Sequence, residues 1–219
     1  MRTRNTLRAL FATAAAAAAL AAAGSASALT MTIYNTDLPV PAGQVMVEDF
    51  DAVNATGPEF TFTGGANTFV RDGDLGLWPN MSAPPPGDTT NYFTVLGGGS
   101  ASLTSVHGMT AFSFYLGSPD TYNFVKFTDF GGNTVTLQGA QIWNATSGDN
   151  GDQSWGRRVS YEFDTAIKTI EFSSTGNSFE FDSLAAAPAP EPAAWALMIT
   201  GFAGAGAMLR RRRTASALA

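Results

Sequence analysis

Apolar side chains recur at every second position in several short segments, and this spacing limits the possible folds more than any other feature of the sequence. Segments 60–63, 110–116, 159–163 and 179–182 alternate Phe, Tyr, Val or Leu with Thr, Ser, Glu or Asp. In an extended strand, alternate side chains point to opposite faces, so the apolar residues of each segment share one face. Residues 29–187 show no sustained helical spacing. The pattern predicts an all-β domain.

Turn sequences separate these segments from further candidate strands. The further candidates are 32–35, 44–50, 92–96, 101–106, 124–127, 134–137 and 167–172. Glycine-rich tripeptides at 97–99, 131–133 and 175–177 mark turns between them. About eleven short strands at this spacing predict a single β-sandwich over 29–187, jelly-roll-like in topology, with an open barrel as the alternative.

The body of the chain is acidic and lacks cysteine. Of the 12 Lys and Arg residues, seven lie near the termini, and the 17 Asp and Glu residues within 29–190 face only five bases. Those five are Arg71, Lys126, Arg157, Arg158 and Lys168. This balance disfavours nucleic acid, whose binding requires a basic patch that neutralises phosphates. The absence of cysteine excludes disulfides and zinc–thiolate sites.

Residues 1–28 have the three zones of a secretory signal peptide. A basic start with Arg2, Arg4 and Arg8 precedes an apolar run over 9–23, and the small-residue sequence Ala-Ser-Ala ends at Ala28. This order predicts export and cleavage after Ala28 by signal peptidase.

The carboxy-terminal end also combines an apolar run with basic residues. Residues 193–209 form a 17-residue stretch without charge, followed by Arg210, Arg211, Arg212 and Arg213. We expect a transmembrane helix over 193–209, oriented by the arginines toward the cytoplasm, with 214–219 as a short cytoplasmic tail.

The sequence at this end resembles a known sorting signal. Pro190, Glu191 and Pro192 are followed by Trp195-Ala196, the apolar stretch and the arginine cluster, so 188–213 resembles the PEP-CTERM signal in its PEPxxWA form. The resemblance implies a Gram-negative host, recognition by an exosortase-type membrane protease, and delivery to the cell surface or extracellular matrix. Proteins of that family usually accompany exopolysaccharide production.

Acidic residues near both ends of the domain form a candidate calcium site. Glu48, Asp49 and Asp51 lie near its start, and Glu180 and Asp182 near its end. First and last strands of a sandwich are often neighbours, and calcium binds 6–8 oxygen ligands, so these carboxylates are expected to converge. The arrangement resembles the structural calcium site of jelly-roll carbohydrate-binding modules.

Tryptophans among polar residues form a candidate carbohydrate site. Trp155 has Asp152 and Arg157 close by in sequence, and Trp78 and Trp143 supply further aromatic plates. An indole ring packs against the apolar C–H face of a sugar, while polar neighbours bind its hydroxyls. The alternative is that these tryptophans close the ends of the sandwich.

Catalytic motifs are scarce. His107 is the single histidine, and no G-x-S-x-G nucleophile elbow occurs. Glu162 and Asp164 place two carboxylates on one strand face, as in sandwich glucanases, but Ala166 stands where that family has a further Glu. We therefore predict a non-catalytic, surface-sorted protein associated with extracellular polysaccharide or biofilm matrix. The alternatives are a polysaccharide-active enzyme with paired carboxylates and a calcium-stabilised adhesin.

Overall fold

The computed structural model describes residues 29–52, 57–79, 81–117, 119–143 and 156–216, so the predicted signal peptide lies outside the described residues. Ten strands, two 3-10 turns (Gly73–Leu75 and Gly139–Trp143) and one α-helix are described. The strands are β1 Leu29–Tyr34, β2 Val45–Glu48, β3 Phe60–Gly64, β4 Thr68–Asp72, β5 Asn91–Val95, β6 Gly99–Leu116, β7 Asn123–Asp129, β8 Thr134–Gln138, β9 Arg157–Ser174 and β10 Phe179–Pro188. The helix α1 is Pro192–Ser216.

Two 18-residue strands, β6 and β9, belong to both layers of a sandwich. The start of β6 pairs with the end of β9, and together with β3, β7 and β8 they form the first layer. The end of β6 pairs with the start of β9, and together with β1, β10, β2, β5 and β4 they form the second layer. All of these pairings are antiparallel. Strands that bend and pass from one layer to the other are a known way to connect the two sheets of a sandwich at a corner.

The bend in β6 requires glycine. The register of β6 against β9 shifts between Thr104 and Met109, and Gly108 has a φ of +100°. A Cβ there would lie 2.9 Å from the Cβ of Ala166 and 2.9 Å from the ring of Phe130. The sequence predicted separate strands at 101–106 and 110–116, whereas one strand bends through both. The same holds for 159–163 and 167–172 in β9.

Aromatic rings fill the space between the layers. The ring of Phe172, in the first layer, lies 4.3 Å from the ring of Phe181 and 5.4 Å from that of Phe114, both in the second layer. The ring of Phe127 lies 5.0 Å from that of Tyr161. These residues belong to the alternating apolar positions, so the predicted all-β sandwich is confirmed at the level of class and layers.

The opposite face of the second layer is polar and also largely buried. Cross-strand partners share a face, which follows from the register of β4, β5, β10, β6 and β9. The face contains Arg71, Tyr92, Thr94, Ser113, Tyr115, Arg158, Ser160, Glu180 and Asp182. Residues 35–44 (loop A) and residues 76–79 and 81–90 (loop B) cover it. Gln44 of loop A donates to Ser160 Oγ at 2.8 Å, and Pro86 O of loop B accepts from Tyr115 at 2.5 Å.

The carboxy-terminal helix corrects one prediction. Among the described residues, no helix combines the length and the apolar character needed to cross a bilayer, so the predicted transmembrane span 193–209 is not supported. The uncharged stretch has 17 residues where a span needs about 20, and it includes glycines at 201, 204 and 206. α1 continues through the arginines to Ser216.

Replacement of Phe172 by Ala tests whether the aromatic contacts hold the two layers together. Phe172 is fully buried, so Phe172→Ala is expected to lower the free energy of unfolding by about 3–5 kcal/mol in urea denaturation. Phe130, half-exposed beyond the end of β7, is the matched control, and Phe130→Ala is expected to change stability by less than about 1 kcal/mol. Equal losses in the two variants would contradict this account of the core.

Candidate functional site

A buried ion pair fixes loop A to the polar face. The side chain of Arg158 is fully buried, and its Nη2 lies 2.6 Å from Asp37 Oδ1. Its Nη1 donates to Ser113 Oγ at 2.9 Å, and its Nε donates to the backbone carbonyl of Asp37. A guanidinium is costly to bury unless its charge is paired and its N–H groups have acceptors. Loop A supplies both the charge and one carbonyl.

Ser183 links Asp37 to a second carboxyl. Ser183 Oγ lies 3.0 Å from Asp37 Oδ2 and 3.0 Å from Asp182 Oδ2. One hydroxyl hydrogen cannot make full bonds to both acceptors, so a proton on Asp182 completes the chain from Asp182 through Ser183 to Asp37. Burial, together with the negative charges of Asp88 and Asp37, raises the pKa of Asp182 to about 8. Asp182 is therefore mostly neutral at pH 7.

A cleft of about 390 Å³ opens between the two loops above this network. Loop A contributes Asn35, Thr36 and Asp37, loop B contributes Pro86, Gly87, Asp88, Thr89 and Thr90, and β6 contributes Tyr115. The backbone N–H and the hydroxyl of Thr90 donate to Asp88 Oδ1 at 2.9 and 2.7 Å, which fixes that carboxylate. Burial raises the pKa of Asp88. The lining residues include two acids and no base.

Glu180 is a second carboxyl on the same polar face. Its Oε1 accepts from the backbone N–H of Ala83 in loop B at 3.3 Å and from the hydroxyl of Ser178. Burial raises the pKa of Glu180 to about 7. Loop B is thus held in part by a carboxyl that titrates near neutrality.

The five predicted calcium ligands do not form one site. β2 and β10 are neighbours, as expected, but Glu180 and Asp182 point to the outer face. Glu48 Oε1 accepts from Phe50 N at 2.9 Å, Asp49 Oδ1 from Asp51 N at 3.1 Å, and Asp51 Oδ1 from Asn91 N at 3.0 Å. The described residues contain no group of three or more acids or histidines that could hold a metal ion.

The predicted carbohydrate-binding residues have different environments. Trp143 is 1% exposed, so the expectation that it offers a plate to a sugar is wrong; its ring packs in the core, with the Arg157 guanidinium 5.5 Å from it. Trp78 is half-buried, with Arg71 4.0 Å from its ring centre and Phe69 edge-on at 5.8 Å. Trp155 and Asp152 lie outside the described residues, and their role stays a prediction.

The residues considered for catalysis do not form a nucleophile–base pair. Glu59 Oε2 lies 2.6 Å from His107 Nδ1, while the hydroxyl of Ser105 donates to Glu59 Oε1. The hydroxyl therefore bonds to the carboxylate and not to the imidazole. The bond to Glu59 raises the pKa of His107. Glu162 and Asp164 are exposed on β9, away from the cleft lining.

Sequence reasoning missed Asp37, Asp88 and Tyr115 as site residues, and it named Arg158 only as one of the five bases of the acidic body. Tyr115 in β6 and Arg158 in β9 each occupy a polar position of an alternating segment, as Tyr115 does beside Phe114. The alternation could have identified them, because a tyrosine and an arginine on the polar face of adjacent strands are expected to be neighbours.

No family model and no curated protein matches the sequence. Among solved structures, TmCBM61 in complex with β-1,4-galactotriose is similar at a TM-score of 0.32 and 13% identity, over 59% of this chain and 88% of that chain. A family 11 carbohydrate-binding module of a Clostridium thermocellum cellulosomal cellulase is similar at a TM-score of 0.27 and 15% identity, over 69% of this chain and 98% of that chain. A peptidoglycan O-acetylesterase is similar at a TM-score of 0.33 and 13% identity, over 66% of this chain and 33% of that chain. Similarities of this size do not distinguish among functions.

Titration of Asp182 gives the site a measurable pH dependence. Because its pKa is raised in the folded state, its contribution to stability is present below the unfolded pKa of about 3.9 and is lost as pH rises through about 8. We expect the free energy of unfolding to fall between pH 7 and 9 in the native protein and to fall less in Asp182→Asn, measured by urea denaturation. Asp74→Asn, which removes an exposed charge, should keep the native slope. An unchanged slope in Asp182→Asn would contradict the assignment.

Proposed function

We propose that the protein binds extracellular polysaccharide without catalysis, in the cleft between loops A and B. The observation that carries the proposal is the set of fixed polar groups at the cleft, namely the carboxylates of Asp37 and Asp88, beside the side chains of Asn35, Thr36 and Thr89. Sugar hydroxyls donate to carboxylates, and hydrogen bonds to charged groups contribute about 1.5–3 kcal/mol each. A volume of about 390 Å³ lies within the usual range for small-ligand sites and suits one or two sugar units.

The charge of the cleft selects among polysaccharides. Asp37 and Asp88 line it, and Arg158, which lies beneath, is paired with Asp37. A uronate or sulfate group would be repelled and would find no basic partner among the lining residues. We therefore propose a neutral polysaccharide as the ligand. The jelly-roll topology and the association of the protein with an extracellular matrix are also part of this proposal.

The buried position of the neutral acid favours binding over hydrolysis. A glycosidase needs a proton donor that reaches the glycosidic oxygen. Asp182 carries a proton at pH 7, but it is buried beneath the cleft and is not among the residues that line it. The enzymatic alternative would be supported if the native protein released reducing sugars from the matrix and the Glu162→Gln variant did not.

We also propose export by the signal peptide and sorting by an exosortase-type protease to the surface or extracellular matrix of a Gram-negative cell. Pro190 and Glu191 are exposed, and α1 begins at Pro192, so the first two residues of the tripeptide lie in an accessible segment between β10 and the helix. α1 exposes Leu197, Ile199 and Phe202, which supports a role for this segment outside the folded domain.

Affinity electrophoresis tests the cleft. A gel containing a neutral galactan or mixed-linkage glucan is expected to retard the native domain, and one containing alginate is not. Asp88→Asn keeps the acceptor for Thr90 but removes the negative charge beside the bound sugar, and should weaken binding about tenfold. Asp164→Asn, on an exposed strand face, is the control with native retardation. Equal retardation of Asp88→Asn, or none on any neutral polysaccharide, would contradict the cleft as the site.

Mass spectrometry of the mature termini tests the sorting proposal. The native protein, expressed in a host with an exosortase, is expected to begin at Leu29, to lack α1 and to fractionate with the surface or matrix. Alanine at Pro190, Glu191 and Pro192 should leave α1 attached and the protein in the cells, whereas Pro188→Ala should be processed normally. Retention of α1 in the native surface form would overturn the proposal.

A further inference from the structure

The aromatic core is open at one edge of the sandwich. A cavity of about 260 Å³, the Phe niche, lies where β3 of the first layer approaches β4 and β5 of the second. Three phenylalanines, one valine and two acids account for most of its lining: Phe50, Phe62, Phe93, Val70, Glu48 and Asp51. Val70 is about half exposed and Phe62 is half-buried, so the niche is reached from solvent.

The Phe62 ring stands at a steep angle to the other two rings of the niche. The Phe62 ring lies 4.9 Å from that of Phe93 at 89° and 5.3 Å from that of Phe50 at 69°. The rings of Phe50 and Phe93 are stacked at 5.1 Å. The stacked rings of Phe50 and Phe93 form one wall of a corner in the niche, and the Phe62 ring across them forms the other wall. Gly64 lies against this corner, since a Cβ there would be 3.0 Å from Phe93.

The backbone is strained where it presents the Phe50 ring. Phe50 has a φ of 57°, a left-handed conformation that is unfavourable for a bulky residue. Its N–H donates to Glu48 Oε1 at 2.9 Å, and its carbonyl accepts from Asn91 Nδ2 at 3.4 Å. Asp51 accepts from the N–H of Asn91 at 3.0 Å, which ties the segment to β5. These bonds hold the ring at the niche in spite of the strain.

The niche is negative, and its described lining residues include no base. Glu48 and Asp51 line it, and no Lys or Arg does. Arg71 follows Val70 in β4, but it points to the opposite face and lies over Trp78 at 4.0 Å. Lys126 pairs with Glu171 at 2.9 Å and Arg158 with Asp37, so these two bases are engaged elsewhere.

We infer that the Phe niche binds a cationic ligand with apolar substituents on nitrogen, of the quaternary or methylated ammonium class. The faces of aromatic rings are negative and attract such cations, and the two carboxylates supply the balancing charge. An anion would be repelled by both carboxylates, and a neutral apolar group would remove them from water without compensation. The niche opens on the inner side of the second layer and the polysaccharide cleft on its outer side, and the two sites share no lining residue.

Titration with choline and its neutral analogue 3,3-dimethyl-1-butanol tests the inference, with backbone amide chemical shifts as the measurement. Choline at low ionic strength is expected to shift the amides of Phe50 and Asn91 and to bind at least tenfold more tightly than the alcohol. Asp51→Asn should weaken choline binding several-fold, and Gly64→Ala should abolish it by filling the corner. Asp74→Asn, which removes an exposed charge outside the niche, is the matched control and should bind normally.

Three outcomes would overturn the inference. These are equal affinity for choline and the alcohol, shifts that spread over the acidic surface and persist in Asp51→Asn, and no shift at any accessible concentration. Binding of neutral sugars at these amides would instead assign the niche to carbohydrate. The thermal unfolding midpoint of each variant separates loss of the niche from loss of the fold.

Discussion

The pairing of β6 with β9 is the constraint on which the rest of the structure depends. Each strand contributes to both layers, so one antiparallel ladder fixes how far apart the layers lie and which faces meet. β6 bends at Gly108, where its register against β9 shifts, and glycine is required there because no Cβ fits between Ala166 and the Phe130 ring. The aromatic core fills the space that this geometry leaves.

The second layer buries both of its faces, and it does so by different physics. The inner face is aromatic and gains from removal of apolar surface from water. The outer face buries a guanidinium and several carboxyls, which costs free energy unless each polar atom finds a partner. Loops A and B supply partners for several of these groups through Asp37, Gln44, Ala83 and Pro86. The cleft exists because the two loops meet above this face without closing it.

Protonation is the least expensive way to keep carboxyls under the loops. Asp182 is buried and Glu180 half-buried near other acids, and their raised pKa values mean that they carry protons over part of the neutral range. A charged pair in the same place would repel Asp37 and Asp88 across a region of low dielectric. The network therefore couples the attachment of the loops to pH without any change in the core.

The sequence alone determined the class of fold, the acidic body and the residues that share a face. These properties depend on local alternation and composition, which are encoded within a few residues. The tertiary structure decided which faces are covered and which distant residues meet. Arg158 and Asp37 are 121 positions apart, and nothing in either segment identifies the other. For the same reason Trp143 became a core residue and the predicted calcium ligands separated, since burial of a position depends on the loops that pack over it.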